Sequence, residues 1–315
     1  MSESPFPVTK PVEILVDTDM ATDCDDAGAL AVLHALATAG EARIAAVVGN
    51  NLDPASTGAV AAVNAFYGRP EIPLGSYQGD EIGTTAGIFV KALAADTAAY
   101  GHTIRSRVDA PPALTVYRRV LEGLPDRSAV IVSIGHLNNL HDLLHSKPDE
   151  HSPLPGKDLI LKKVGRTVIM GGDYPAGKEH NFFARGSHRV TADVVNHWPT
   201  PILFSGYTLG YRITTGPGLA VLPVGHPVRR AYDLHPTRPL ENGRPSWDQP
   251  AVLAAVRDPE RYWTLSGPGF NRIAMDGTNN WEPSPDGPHK YLIERVPAAE
   301  LSGEIERLMI AASSG

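Results

Sequence analysis

Apolar residues along this chain fall into short β-branched runs that alternate with longer stretches of helical spacing. "VEILVD" (12–17) is a compact run suited to a strand buried on both faces, and "DDAGALAVLHALATAG" (25–40) has helical spacing with Gly40 as its stop. The unit recurs as "ARIAAVVGN" (42–50) with "PASTGAVAAVNAFYG" (54–68). It continues through the helix "PPALTVYRRVLEGL" (111–124), the strand "SAVIVSIG" (128–135) and the helix "LNNLHDLLHS" (137–146). "GRTVIMGG" (165–172), the helix "SHRVTADVVNHW" (187–198) and the strand "TPILFSG" (200–206) extend the alternation. Such a pattern predicts an α/β fold, an open and mostly parallel sheet flanked by helices. In sheets of that kind ligands bind in the crevice beyond the carboxyl ends of the strands.

From about residue 215 the periodicity weakens, and the segment 216–249 is rich in Pro and Gly. Beyond it the pattern predicts helices at "SWDQPAVLAAVRD" (246–258) and "AAELSGEIERLMIAA" (298–312), with short strands around "YWTLSG", "FNRIAMD" and "HKYLIERV". No linker, low-complexity tract or repeat divides the chain. Residues 12–315 therefore read as one domain with an irregular C-terminal part, behind an N-terminal extension at 1–11.

Composition narrows the function more than the fold. With 42% hydrophobic and 20% charged residues the chain is ordinary globular material. A net charge of -7 without a Lys/Arg cluster argues against a nucleic-acid or anionic-membrane surface, and favours a small polar or cationic partner. The start, "MSESPFPVTKPVE", lacks the charged and apolar regions of a signal peptide, and no apolar run approaches the ~20 residues of a membrane span. A soluble, cytoplasmic protein is expected. The single cysteine, Cys24, excludes an intrachain disulfide and a Cys-based zinc site, so a metal would need oxygen or histidine ligands.

Polar residues gather where the predicted strands end, at "VDTD", "VVGNN", "IVSIGHLNN" and "IMGGDYPAGKEHN". Loops are polar in any protein. That does not account for Asp17, Asp19, Asp23, Asp25 and Asp26 within ten positions, which would repel one another strongly in a partly desolvated crevice. Protonation, a helix N-terminus or a bound cation could offset the repulsion. Asp25 and Asp26 stand where a helix begins, yet capping and the dipole supply only roughly 0.3–1 kcal/mol each. A hard divalent cation, calcium or magnesium, is the working expectation. An EF-hand does not fit, because a strand leads into the loop. A haloacid-dehalogenase-like phosphotransferase would use Asp17 as nucleophile with Ser133 in its second motif. Its later Lys and acidic pair are matched only loosely by "GGDYPAGKEHN", and the Asp25–Asp26 pair has no place in it.

"DTDMATDCDDAGALA" resembles the N-terminal signature of the nucleoside hydrolase family, in its longer-loop D-x-D-x-x-x-D-x-D-D form. Later segments extend the resemblance in the family's order. "NAFYGRPEIPLG" is similar to the stretch after the second helix, and "IVSIGHLNNLHDLL" to the G-P-L-T-N segment. "VIMGG" and "EHNFFA" are similar to the M-G-G and E-F-N segments, and "SWDQPAVLAAV" to the late D-P-x-A helix start. The resemblance implies a Rossmann-like N-ribosyl hydrolase of the inosine-uridine preferring type, which splits a nucleoside into ribose and free base with one bound Ca²⁺. It implies Asp19, Asp26, Asp248 and the main-chain carbonyl of Asn138, where the family usually has Thr, as calcium ligands. Asp25 would accept a hydrogen bond from the ribose 2'-hydroxyl. Glu179, Asn181 and Asn51 would hold the other sugar hydroxyls, with Asn50 as the alternative to Asn51. Asp19, touching metal and water together, is the candidate general base. Asp17 would brace the loop, and Asp23 reads as solvated loop charge.

One departure bears on the leaving group. Many members place His before the late calcium-binding Asp, and here Trp247 stands there. An aromatic residue at this place marks purine-preferring members, and its stacking would contribute on the order of 1 kcal/mol or more. Purine nucleosides are the expected preference. A core or helix-capping role for Trp247 is the competing reading, as is a riboside-binding protein with little turnover. His136 and His180 flank the expected site as candidate donors. Tyr207 and the loop from Tyr77 to Arg105 fall where the family's pocket varies, with "YQGDEIGTTAGIF" (77–89) expected as part of a lid and Tyr100 or His102 within reach of the base. Cys24 is expected to pack rather than react. The family's habit implies a homodimer or homotetramer, although no stretch marks an interface.

Overall fold

The computed structural model describes residues 10–80, 82–83 and 87–311. Strands β1 (Val12–Thr18), β2 (Ala42–Gly49), β3 (Leu74–Ser76), β4 (Ala129–Ile134), β5 (Val164–Met170) and β6 (Ile202–Ser205) come first along the chain. β7 (Gly269–Ile273), β8 (Asn279–Pro283) and β9 (His289–Glu294) follow after a long helical stretch. They lie in one eleven-stranded open sheet in the order β3-β2-β1-β4-β5-β6-β9-β7-β8, with Ala176–Gly177 beyond β8 and Trp263–Leu265 paired to β9. Every pairing from β3 through to β9 is parallel, and only the edge beyond β9 turns antiparallel. The mostly parallel open sheet expected from the alternation is the one found.

The parallel strands run apolar because both faces are covered. Ile14, Val16, Val130 and Val132 enter one core, and Leu15 and Ile131 the other. The first face is covered by α1 (Asp25–Thr38), α2 (Ser56–Phe66) and α3 (Ile88–Ala95). The second face carries α4 (Ala113–Gly123), α5 (Asn138–Leu144), α6 (Gly156–Lys163) and α7 (His188–His197). Three later helices, α8 (Pro227–Leu234), α9 (Asp248–Val256) and α10 (Ala298–Ala311), return to the first face. Residues Asp25 to Leu36 of α1 are all buried, which is why that helix is apolar nearly all round. Among the described residues no helix is long and apolar enough to cross a membrane.

The C-terminal part is more regular than its Pro/Gly content predicts. It covers the sheet with α8, α9 and α10, and it also lengthens it through β9, which pairs in parallel with β6. α3, α6 and α8, with the strands β3 and β8, have no counterpart in the elements read from the sequence.

Candidate functional site: an acidic crevice at the sheet's switch point

The order β3-β2-β1-β4-β5-β6 places a switch point between β1 and β4, where the connections leave in opposite directions and open a crevice at the carboxyl ends. The acidic loop hangs from β1 at that point. Met20 N–H donates to the Thr18 hydroxyl, and that hydroxyl in turn donates to Asp26, so the loop turns straight into α1. The resulting pocket holds about 240 Å³, below the ~300–1,000 Å³ usual for drug-sized ligands, so it has room for a small ligand.

Two helix N-termini converge on one wall. Asp25 and Asp26 occupy the first turn of α1 and Asp248 opens α9, with one carboxylate oxygen of each within 4.8 Å of the others. All three are buried, and burial, reinforced by neighbouring carboxylates, holds each carboxyl well above the usual range. Asp19 lines the same pocket outside that triad, its carboxyl pushed by burial up to about 6. The helix dipoles favour negative charge here but are far too weak to hold several carboxylates ionised together. A buried donor set made only of oxygens fits a hard divalent cation.

Across the pocket, Glu179 and Asn181 belong to the segment after β5. Glu179 accepts from Gly172 N–H at 3.1 Å and from Asn181 N–H at 2.8 Å, and burial raises its carboxyl to about 8. These bonds tie the short 172–179 connection back on itself. Asn181 Nδ2 lies 3.2 Å from Met170 Sδ. His180 also lines the pocket, whereas His136 is buried behind it, with Nδ1 3.3 Å from Asn181 O and Nε2 3.9 Å from Asp19 Oδ2. Burial lowers the His136 imidazole to about 4, so it is neutral at pH 7.

Trp247 stands at the rim. Its indole stacks on Tyr207, with centroids 5.6 Å apart and planes 20° apart, and its Nε1 donates to Tyr207 O at 3.2 Å. The Arg244 guanidinium lies 5.2 Å from the Trp247 ring and ion-pairs with Asp23, which also has His235 Nε2 at 3.6 Å. Asp23 is therefore a paired charge that anchors the 244–247 segment to the acidic loop.

Other expected residues fall elsewhere. Asp17 is fully buried and accepts from Asn50 Nδ2 (2.5 Å), Tyr117 OH (2.8 Å) and Asn139 Nδ2 (3.2 Å), the arrangement of a brace. Burial raises its carboxyl to about 7. Asn51 does not line the pocket, since its amide bonds Met20 O and Ser56 Oγ while its Oδ1 accepts from Asp53 N–H. Asn50 is likewise absent from the pocket lining: it is fully buried, its Nδ2 is given to Asp17, and its Oδ1 has no partner among the described residues. Asn138 opens α5, and its side-chain Nδ2 donates to Asn50 O at 2.9 Å. Tyr100 is tied to Gly225 O and His102 to Ile104 O, and neither lines the pocket. The expected lid includes residues 81 and 84–86, outside the described residues, as are residues 1–9 of the N-terminal extension. Cys24 is buried, and burial, then Asp23 and Asp25, holds its thiol well above its ordinary range.

Four contributors went unread in the sequence: Arg244, His235, Tyr117 and Asn139. Asn139 had a signal, since it ends the "GHLNN" segment, whereas Arg244 and His235 sit in a Pro/Gly-rich stretch without pattern.

No family model and no curated protein matches the chain. Solved structures do. A plant nucleoside hydrolase superposes with TM-score 0.71 at 18% identity, over 97% of this chain and 100% of its own. A purine-preferring ribonucleoside hydrolase from Gardnerella vaginalis gives 0.69 at 14%, over 96% and 100%. The type III effector XopQ, solved with adenosine diphosphate ribose, gives 0.65 at 16%, over 96% and 93%. The chain has the nucleoside hydrolase fold, as the resemblance of its motifs implied.

Proposed function

We propose that this protein is a Ca²⁺-dependent N-ribosyl hydrolase that converts a ribonucleoside, preferably a purine nucleoside, to ribose and free base. The observation that carries the reading is the gathering of Asp19, Asp25, Asp26 and Asp248 in one pocket at the switch point of this fold. Asp19, Asp26, Asp248 and the Asn138 carbonyl would hold the cation, with Asp25 beside them toward the sugar. When bound, the cation neutralises the carboxylates and supplies a Lewis-acidic centre against the ribose diol.

The chain's own groups supply the rest. Cleavage of an N-glycosidic bond passes through an oxocarbenium-like state, so carboxylates near the anomeric carbon stabilise the positive charge that develops there. Asp19 takes the proton of the attacking water. Asp25, Glu179 and Asn181, which line the pocket, bind sugar hydroxyls and fix the ring, and neither Asn51 nor Asn50, both buried outside that lining, is given a sugar contact. The Trp247–Tyr207 stack offers the base an aromatic face, which favours purines through their larger π-surface.

Release of reducing sugar from inosine, guanosine, adenosine, uridine and cytidine, measured on metal-stripped protein with and without Ca²⁺, tests the reading. Calcium-dependent release led by the purine nucleosides is expected. Asp26→Asn is expected to lower the rate on the order of 10²-fold or more. Undiminished turnover by Asp26→Asn or by stripped protein would sink the proposal. A second reading, a riboside binder with little turnover, is favoured by Trp247 standing where a proton donor would serve and by the neighbour solved with adenosine diphosphate ribose. Tight nucleoside binding without sugar release would select it.

A further inference from the structure

A second set of metal-type donors lies away from the crevice, where α5 meets α7. His141 and His145 are one helical turn apart, and their rings face the same side with centroids 4.7 Å apart. Asp193 of α7 faces both: its Oδ2 is 2.5 Å from His145 Nε2 and 3.6 Å from His141 Nε2. Donor atoms of these three residues all lie within 4.8 Å of one another. The second Asp193 oxygen is held by His197 Nδ1 at 2.9 Å, and Asp142 Oδ1 lies 3.7 Å from His141 Nδ1.

We propose that His141, His145 and Asp193 form a transition-metal site that takes Zn²⁺ and clamps α5 to α7. Bonds of ~2.0–2.2 Å around a tetrahedral zinc separate its ligand atoms by about 3.3–3.6 Å. The His141–Asp193 pair already has that spacing. The His145–Asp193 pair reaches it by opening about 1 Å, within rotamer reach of side chains 54% and 32% exposed. Two imidazoles and one carboxylate leave the fourth position to water. His197 Nδ1, bonded to the Asp193 main-chain oxygen and beside its second carboxylate oxygen, and the Asp142 carboxylate beside His141 Nδ1 stand where outer groups orient such ligands. Imidazole donors select zinc, nickel or copper over calcium, so this site and the all-oxygen crevice differ in the ion they prefer. The clamp also has a structural consequence. α5 opens with Asn138 and Asn139, and Asn139 bonds the Asp17 brace under the acidic loop.

Untagged, calcium-loaded protein titrated calorimetrically with ZnCl₂ tests the site, with circular dichroism as the check on folding. A single Zn²⁺ bound per chain, a raised Tm and no displacement by excess Ca²⁺ are expected. Asp193→Asn should weaken binding roughly tenfold or more, and the His141→Ala/His145→Ala double variant should abolish it with nucleoside turnover unchanged. His145→Gln, which keeps a polar partner for Asp193, serves if the double variant does not fold. Zinc binding unaltered in the folded variants, zinc displaced by calcium, or no zinc binding at all would overturn the proposal.

Discussion

His34, in the middle of α1, has both ring nitrogens engaged. Nε2 lies 2.9 Å from Asn64 Oδ1 and Nδ1 lies 3.2 Å from Arg69 Nη1, a group that can only donate. The neutral ring with its proton on Nε2 is therefore the form the fold accepts, and a second proton would break the Arg69 bond and face a guanidinium. Burial, with a smaller push from Arg69, lowers the imidazole to about 3. The sign follows: the folded state refuses a proton that the unfolded chain takes up below pH ~6.5, so stability is complete above that value and falls with pH down to about 3. Between pH 7.5 and 5 this one group is expected to remove about 2 kcal/mol. Urea unfolding at both values should show that slope shrinking by about this amount in His34→Gln, and an unchanged slope would refute the assignment. Trp247 makes a matching claim about the ligand. Trp247→Ala is expected to lower kcat/KM for purine nucleosides on the order of tenfold, the effect of losing a ~1–3 kcal/mol stack, with Trp247→Phe retaining most of it. Equal losses for purine and pyrimidine nucleosides would show that the ring is a wall and not a platform. At this scale the sequence is readable only where a role is local. The Asp25–Asp26 pair announces itself beside a helix start, but Asp23 is explained by Arg244, more than two hundred residues away in a segment without periodicity.

Helix packing, rather than the loop alone, sets the spacing of the acidic triad. Gly28 lies one turn into α1 beneath Asp25, and a Cβ there would come within 2.5 Å of Gln249 Nε2, 2.7 Å of Tyr232 Oη and 3.0 Å of Met309 Cε. Gln249 and Tyr232 are themselves joined at 2.9 Å, so they cannot simply swing aside. Gly28 thus lets α1 and α9 approach closely at the ends that bear Asp25, Asp26 and Asp248. In Gly28→Ala the gain of ~1 kcal/mol in helix propensity is set against overpacking of roughly 1–3 kcal/mol. A net loss of stability is expected together with weaker calcium binding, because the two N-termini are pushed apart. Calorimetric calcium affinity separates this from general softening: a destabilised variant that binds calcium like the parent would show that the spacing is set elsewhere. Elements were legible in proportion to their burial. The runs in β1, β2, β4, β5 and β6 read as strands because both faces are covered, so that apolar residues dominate them and charged ones such as Glu13, Arg43 and Arg166 stay near their amino ends. α8 was hidden because its eight residues sit among prolines and glycines, although one face of it, with Val228, Ala231 and Tyr232, is core.

For the whole molecule, the crevice gathers carboxylates whose ionised forms repel one another, and the proposed cation would relieve that repulsion. Two cores sandwich the sheet and fix β1, β4, α1 and α9 relative to one another, so the buried carboxylates cannot separate to lower their mutual energy. In the unfolded chain the same residues are solvated, and Asp248 is far from Asp19, Asp25 and Asp26, so the full donor set is not assembled. Calcium that binds only the folded form stabilises it by RT ln(1 + [Ca²⁺]/Kd), about 2.7 kcal/mol at a hundredfold excess over Kd. For a chain of this size that is a rise in Tm on the order of 5 °C. Adding Ca²⁺ to exhaustively stripped protein at pH 7.5 should produce the rise, and it should vanish in Asp26→Asn and Asp248→Asn. Mg²⁺ should act more weakly, since it demands a smaller octahedral shell and gives up water reluctantly. If the proposed hydrolase uses one cation for turnover and folding, the Kd fitted from the logarithmic rise of Tm with free Ca²⁺ should match the half-saturation of sugar release. Divergent values would mean that the stabilising cation sits outside the crevice.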